Sequence, residues 1–107
     1  MKKIRLNQLK GDVGGTVFGD LVAGRKVTKG GIHVFKPGEV AHANQERHVH
    51  DDVEEIFIVL QGKGRLPVEE EVHDAKTGDV IIIEPGENHH MGSSEEDPLV
   101  IVWLHIE

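Results

Sequence analysis

The chain has 107 residues, 19 of them acidic against 12 basic for a formal net charge of -7, with eight histidines and no cysteine. That balance argues against a nucleic-acid surface, which needs clustered Lys and Arg, and the missing thiols exclude disulfides, thiolate zinc sites and cysteine nucleophiles. No apolar run approaches the roughly 18 residues of a membrane span and the opening MKKIRLNQLKGD lacks the apolar core of a signal peptide, so a single cytoplasmic domain over 1–107, away from membranes, is expected.

Residues 1–15 start with the alternating Ile4-Arg5-Leu6 and pass into the glycine turn GDVGG, an N-terminal arm or edge strand. Thr16–Val22 and Gly31–Phe35 are short strand candidates on either side of AGRKVTKG, a polar loop. Lys36-Pro37-Gly38 is a turn, and residues 39–47 are polar and irregular. His48-Val49-His50 follows, with two histidines at i and i+2 that share one face of an extended strand. Glu55 heads the β-branched and aromatic run Ile56-Phe57-Ile58-Val59-Leu60. Gln61-Gly62-Lys63-Gly64 is expected to turn the chain into a second strand, Arg65–Val68, and Glu69-Glu70-Glu71 to be a solvated hairpin edge.

A turn over Ala75–Asp79 leads into the strand Val80–Ile83, and the turn Glu84–Asn88 delivers His89 and His90. After the polar loop 92–98 the final strand is Leu99–Ile106. No window carries helical periodicity free of Gly or Pro, so short strands at regular spacing predict an all-β sandwich or barrel.

The residues alone leave the carboxylate open between Glu54 and Glu55, which strand parity puts on opposite faces. Glu55, Phe57 and Val59 share one face; Ile56, Ile58 and Leu60 share the other, which needs a further layer or a second subunit to cover it. His50 and Glu55 differ in parity, so a turn or bulge near Asp51-Asp52 must reset the register if both reach one ion.

His48-x-His50-x4-Glu55-x6-Gly62 resembles the first motif of the cupins, and Gly78-x5-Glu84-Pro85-Gly86-x2-His89 resembles their second. The resemblance spans Pro37–His90, about half of the chain. The sequence departs from the pattern at His42, where a glycine is usual, at Glu84, where a proline is common, and at Ser93, where an asparagine often stands. The resemblance implies a double-stranded β-helix, a jelly-roll barrel, with His48, His50, Glu55 and His89 pointing at one metal ion. Its motif spacing selects Glu55 over Glu54 and His89 over His90, and His90 is then expected to face the opposite way. Three imidazoles and a carboxylate suit one divalent transition ion per chain, Mn, Fe, Ni, Co or Zn, with two positions left over for exogenous ligands in a six-coordinate shell.

On that basis the expected function is that of a small metal-dependent enzyme, a dioxygenase, a decarboxylase or an isomerase, acting on a small oxygenated metabolite. His42, His90 and His105 are the acid/base candidates. The rival expectation is a non-catalytic module that binds or senses a small ligand or sugar through the metal, and a third is a purely structural ion. A homodimer is expected, as is usual for small cupins.

Overall fold

The structure, a computed structural model, describes residues 1–8, 25–40 and 53–107. The expected glycine turn over 11–15, the strand candidate Thr16–Val22, the reset at Asp51-Asp52 and most of the polar stretch 39–47 lie outside these residues.

The run after Glu55 becomes the longest of the described strands and belongs to both sheets. The described strands are β1 (Lys2–Arg5), β2 (Val27–Phe35), β3 (Glu54–Val68), β4 (Glu71–Lys76), β5 (Asp79–Ile83), β6 (Gly92–Ser93) and β7 (Leu99–Ile106), with a single 3-10 turn at Leu6–Gln8. The pairings among the described strands are all antiparallel. One sheet runs β1-β5-β3-β7-β2, and the far half of β3 pairs instead with β4 and β6.

The turn expected at Gln61–Gly64 is not a reversal. β3 continues through it, pairing with β7 as far as Gly62 and with β4 from Lys63 onward. A register shift between Val59 and Gln61 and the positive φ of Gly62, 87°, bend the strand from one sheet into the other, which is how sandwich corners are made. The carbonyls freed at the bend are not left bare: Val59 accepts from Gly78 N at 2.9 Å and Gly62 from Thr77 N at 3.1 Å.

Two further boundaries move for the same reason, that pairing partners extend a strand past its apolar residues. β2 takes in Val27–Gly30, read as loop from its composition, because β7 is long enough to pair with it. Glu71–Lys76, of which 75–76 were expected in a turn, pairs residue by residue with the far half of β3. Glu69 and Glu70 form the hairpin turn, with Glu69 at φ 52°.

The core between the sheets collects the inward positions, among them Phe35, Phe57, Val59, Leu66, Ile81, Ile83, Leu99 and Ile101, all buried. A second apolar cluster lies on the other face: Ile56, Val80, Ile82 and Ile106, with Ile4, Ile58 and Leu104 packed on it. The chain itself therefore buries Ile56, whereas Leu60 at 46%, Ile32 at 66% and Val34 at 60% remain exposed. Among the described residues no helix is long and apolar enough to cross a membrane.

Asp79 closes the β4–β5 turn from inside. It is buried, accepts from Lys76 N at 2.9 Å and pairs with Arg5 Nη1 at 2.7 Å, tying β1 to the turn.

Candidate functional site

The register of the first sheet sets Glu55 opposite Ile83 on β5 and opposite His105 on β7. On the inner face Glu55, Phe57 and Val59 follow one another at a period of two, and Val59 and Phe57 lie in the core. Glu55 thus comes at the end of an apolar stripe, with only 6% of its surface exposed. A carboxylate in that position needs partners, and the described residues include two imidazoles: His89 Nε2 stands 3.1 Å from Oε1, and His105 Nε2 is in contact with Oε2.

His89 arrives by a Pro-Gly turn. Glu87 N donates to the Glu84 carbonyl across Pro85-Gly86, and Gly86 has φ 84°, the signature of a type II turn. The Glu87 side chain reinforces the turn by accepting from Glu84 N at 2.8 Å and from the Met1 ammonium at 2.6 Å. Burial alone would raise the Glu87 carboxyl, but those hydrogen bonds outweigh it and hold its pKa below the ordinary value. The segment is then pinned to the β3–β4 hairpin. Glu69 and Asn88 bond in both directions, Glu69 N to Asn88 O and Asn88 N to Glu69 Oε1, and His90 N donates to the Pro67 carbonyl.

The Glu87 carbonyl accepts from His89 Nδ1 at 3.0 Å, so Nε2 is the ring atom turned to Glu55. Burial alone would lower the His89 pKa; the hydrogen bond with Glu55 and that with the Glu87 carbonyl outweigh it, and the imidazole is held above its ordinary value. When His89 is neutral with the proton on Nδ1, Nε2 carries the lone pair that could bind a metal, the arrangement in which a carbonyl orients a histidine ligand.

The donor set can be tested against an ion. Two donors each about 2.1 Å from one ion and at a right angle lie about 3.0 Å apart, and His89 Nε2 and Glu55 Oε1 are 3.1 Å apart. The pair therefore fits two neighbouring ligands. Among the described residues no three His, Asp or Glu side chains form a metal site, because His105 reaches Glu55 from the far oxygen instead of sharing a point with the other two. His48 and His50, the other expected ligands, and His42 lie outside the described residues.

Glu55, His89 and His105 open onto a cavity of about 380 Å³. Its walls are mostly apolar: Phe35, Phe57, Met91, Ile101 and Trp103. Phe57 meets His89 edge-on with ring centroids 6.1 Å apart, and Trp103 meets His105 edge-on at 5.2 Å. His33 lines the cavity too, stacked on Phe35 at 3.9 Å.

His90 also lines this cavity, contrary to the expectation that it faces away. Alternation between faces holds only in extended strands, and His89 makes just an isolated bridge to Val68 with no strand around it. Glu54, the competing carboxylate, pairs with Arg25 at 3.2 Å. Nothing in the residue pattern marked Glu69 and Glu87 as positioning residues or Lys29 and Trp103 as cavity wall. Only the Pro-Gly turn marked the approach to His89.

Fold and site together define a two-sheet antiparallel β barrel that presents a histidine and a carboxylate to an apolar cavity. The model of the cupin domain family matches residues 31–105, and the chain belongs to that family. Solved structures agree on the fold, a double-stranded β-helix. A cupin protein from Bacteroides fragilis superposes with a TM-score of 0.70 at 19% identity, covering 100% of this chain and 86% of its own. A protein from Thermotoga maritima described as a predicted oxalate decarboxylase gives 0.67 at 20% identity, covering 86% and 75%. A Klebsiella pneumoniae protein with a double-stranded β-helix domain gives 0.64 at 22%, covering 77% and 70%. No curated protein matches the sequence significantly.

Proposed function

We propose that the protein is a small metal-dependent enzyme of the dioxygenase or decarboxylase type, acting on a small oxygenated metabolite with Glu55, His89, His48 and His50 as ligands. The observation that carries this reading is the approach of His89 Nε2 to Glu55 Oε1, 3.1 Å, at the wall of an apolar cavity. A divalent Mn, Fe, Co, Ni or Zn ion held there would supply a Lewis acid toward a substrate oxygen. The described residues do the rest. His105 fixes Glu55 through Oε2, which leaves Oε1 to be shared with His89. The Glu87 carbonyl fixes the His89 ring. Phe35, Phe57 and Met91 give the reacting end an apolar wall, which strengthens charge interactions beside it. His90 and His105, at the cavity wall, are the proton-transfer candidates, with His42 a third outside the described residues.

The experiment is turnover. Protein reconstituted with manganese or iron is assayed for oxygen uptake and carbon dioxide release on diketones, catechols, oxalate and hydroxy acids. Product from any of these supports the reading, and metal-replete protein that turns over none of them refutes it.

One observation favours the second reading, a metal-dependent binding module. Both oxygens of Glu55 are engaged by imidazoles, which suits a carboxylate that holds position more than one that shuttles protons. Ligand-dependent thermal stabilisation without product selects the module.

As to partners, the exposed Ile32 and Val34 lie on β2, the last of the described strands in the sheet order, beside Val102 and Val100 of β7. An apolar row on an outer strand is self-complementary about a twofold axis, and a second copy of the chain is its occupant in this proposal. A monomer mass by light scattering at every concentration refutes the dimer.

A further inference from the structure

The inner face of the sheet carries a polar rung that the metal reading leaves half unused. Lys29 pairs with His105 across β2 and β7, and His105 with Glu55 across β7 and β3. The next rung is Gly31, Trp103 and Phe57. Gly31 has no side chain, and a Cβ there would meet the Trp103 ring at 3.1 to 3.3 Å. The indole therefore lies over β2, with Lys29 on one side of Gly31 and His33 on the other.

Lys29 and Trp103 both line the cavity. Among the described residues no carboxylate pairs with Lys29, and the Trp103 indole N–H, not counted among the buried unsatisfied groups, has no acceptor. His33, by contrast, already approaches Glu39 at 3.6 Å. The wall opposite Glu55 thus holds one unpaired cation and one unused donor beside an aromatic face. Two strand spacings, about 10 Å, separate the Lys29 and Glu55 backbones, room for a ring and a carboxylate.

We infer that this wall is a carboxylate subsite: Lys29 and the Trp103 N–H take the two oxygens of a monoanionic acid whose apolar body packs against Trp103, Phe57 and Phe35. The inference rests on the reading of Glu55 and His89 as the reacting end, toward which the remainder of the molecule is turned. A single fixed charge and a single neutral donor match a monoanion with two oxygens; a phosphate dianion with three calls for more. An inward lysine on β2, terminal among the described strands, also suits a strand that must not pair edge to edge, a role indifferent to what the cavity holds.

Trp103 is the chain's sole tryptophan and there is no tyrosine, so intrinsic fluorescence reads this cavity alone. The probes are benzoate, its neutral analogue benzamide, and phenyl phosphate, titrated into full-length protein of measured metal content. Benzoate is expected to give a saturable change with at least about tenfold tighter binding than benzamide, the scale of one hydrogen bond to a charged group. Lys29→Met abolishes that preference and Lys29→Arg retains it, with circular dichroism and Tm checking that each variant folds. Equal affinity for benzoate and benzamide, a preference that survives Lys29→Met, or tighter binding of phenyl phosphate overturns the subsite. Metal content separates the two proposals. Lys29-dependent benzoate binding in a chain that takes up no metal upholds the subsite and refutes the metal reading; metal uptake without charge preference does the reverse.

Discussion

Replacing Gly62 by alanine tests the bend on which the site depends, since β3 carries Glu55 in one sheet and reaches the second only through this residue. A Cβ at Gly62 would lie 1.7 Å from the Pro98 carbonyl oxygen, 2.8 Å from its carbon and 3.2 Å from Leu99 Cα. All three are backbone atoms, so no rotamer relieves the clash. The left-handed φ of 87° adds about 1–2 kcal/mol for an L-residue. Restoring contact distance means moving the start of β7 away from β3 by more than an ångström, which loosens the Gly62–Leu99 pairing and the packing of the fully buried Leu99. That loss is about 2–4 kcal/mol, from a ladder hydrogen bond and a partial core cavity. After the smaller entropy of the unfolded alanine chain, about 0.4–1 kcal/mol, the net cost is about 3–5 kcal/mol, a fall in Tm of roughly 12 °C or more. Gly38→Ala is the control: its φ is 77° but none of the described residues lies within 4 Å of its Cβ position, so the backbone cost of about 1 kcal/mol is the one expected. Urea unfolding followed by Trp103 fluorescence and by circular dichroism measures both. A Gly62→Ala protein within about 1 kcal/mol of Gly38→Ala would refute the assignment of Gly62 to a crowded bend.

Asp79→Ala removes a buried acceptor from Lys76 N and should cost about 1–3 kcal/mol in urea unfolding. Because Arg5 is 44% exposed, the ion pair contributes little, and most of the cost should persist in high salt. His105→Phe leaves Glu55 Oε2 without its imidazole; metal affinity measured by competition with a chelator should fall about tenfold or more while all four proposed ligands remain. Glu54→Ala should leave metal affinity near wild type in the same assay, since Glu54 faces Arg25 and not the cavity.

The parts of the fold that could be read from the residues are those where a local signal coincides with a local cause. Leu99–Ile106 is apolar except for His105 and emerges as β7 with those same bounds. Parity separates Phe57 and Val59 from Ile56 and Ile58, and the two pairs do enter different clusters. Both Pro-Gly pairs form turns, with Gly38 and Gly86 at positive φ. What escaped was decided by distant residues. Gly62 has the same positive φ as those turn glycines, and only the Pro98 carbonyl across the strand marks it as a bend within a strand. Residues 71–76 are too polar to announce a strand, and the exposed far half of β3 recruits them. Glu69 looks like one of three solvated acids until Asn88, distant in sequence, pairs with it. The placement of His89 came through motif spacing, while its hold on Glu55 and the entry of His90 into the cavity depend on tertiary contacts that no spacing encodes.

Whether the Glu55–His89 pair is half of a metal centre decides the proposed function. Elemental analysis of protein purified without added metal, beside the His50→Ala variant with circular dichroism confirming its β fold, is the direct measurement. The account predicts about one equivalent of a divalent Mn, Fe, Co, Ni or Zn ion per wild-type chain and a sharp loss in the variant. Wild-type protein that carries no such metal and takes up none on reconstitution, or a variant with undiminished content, would contradict it.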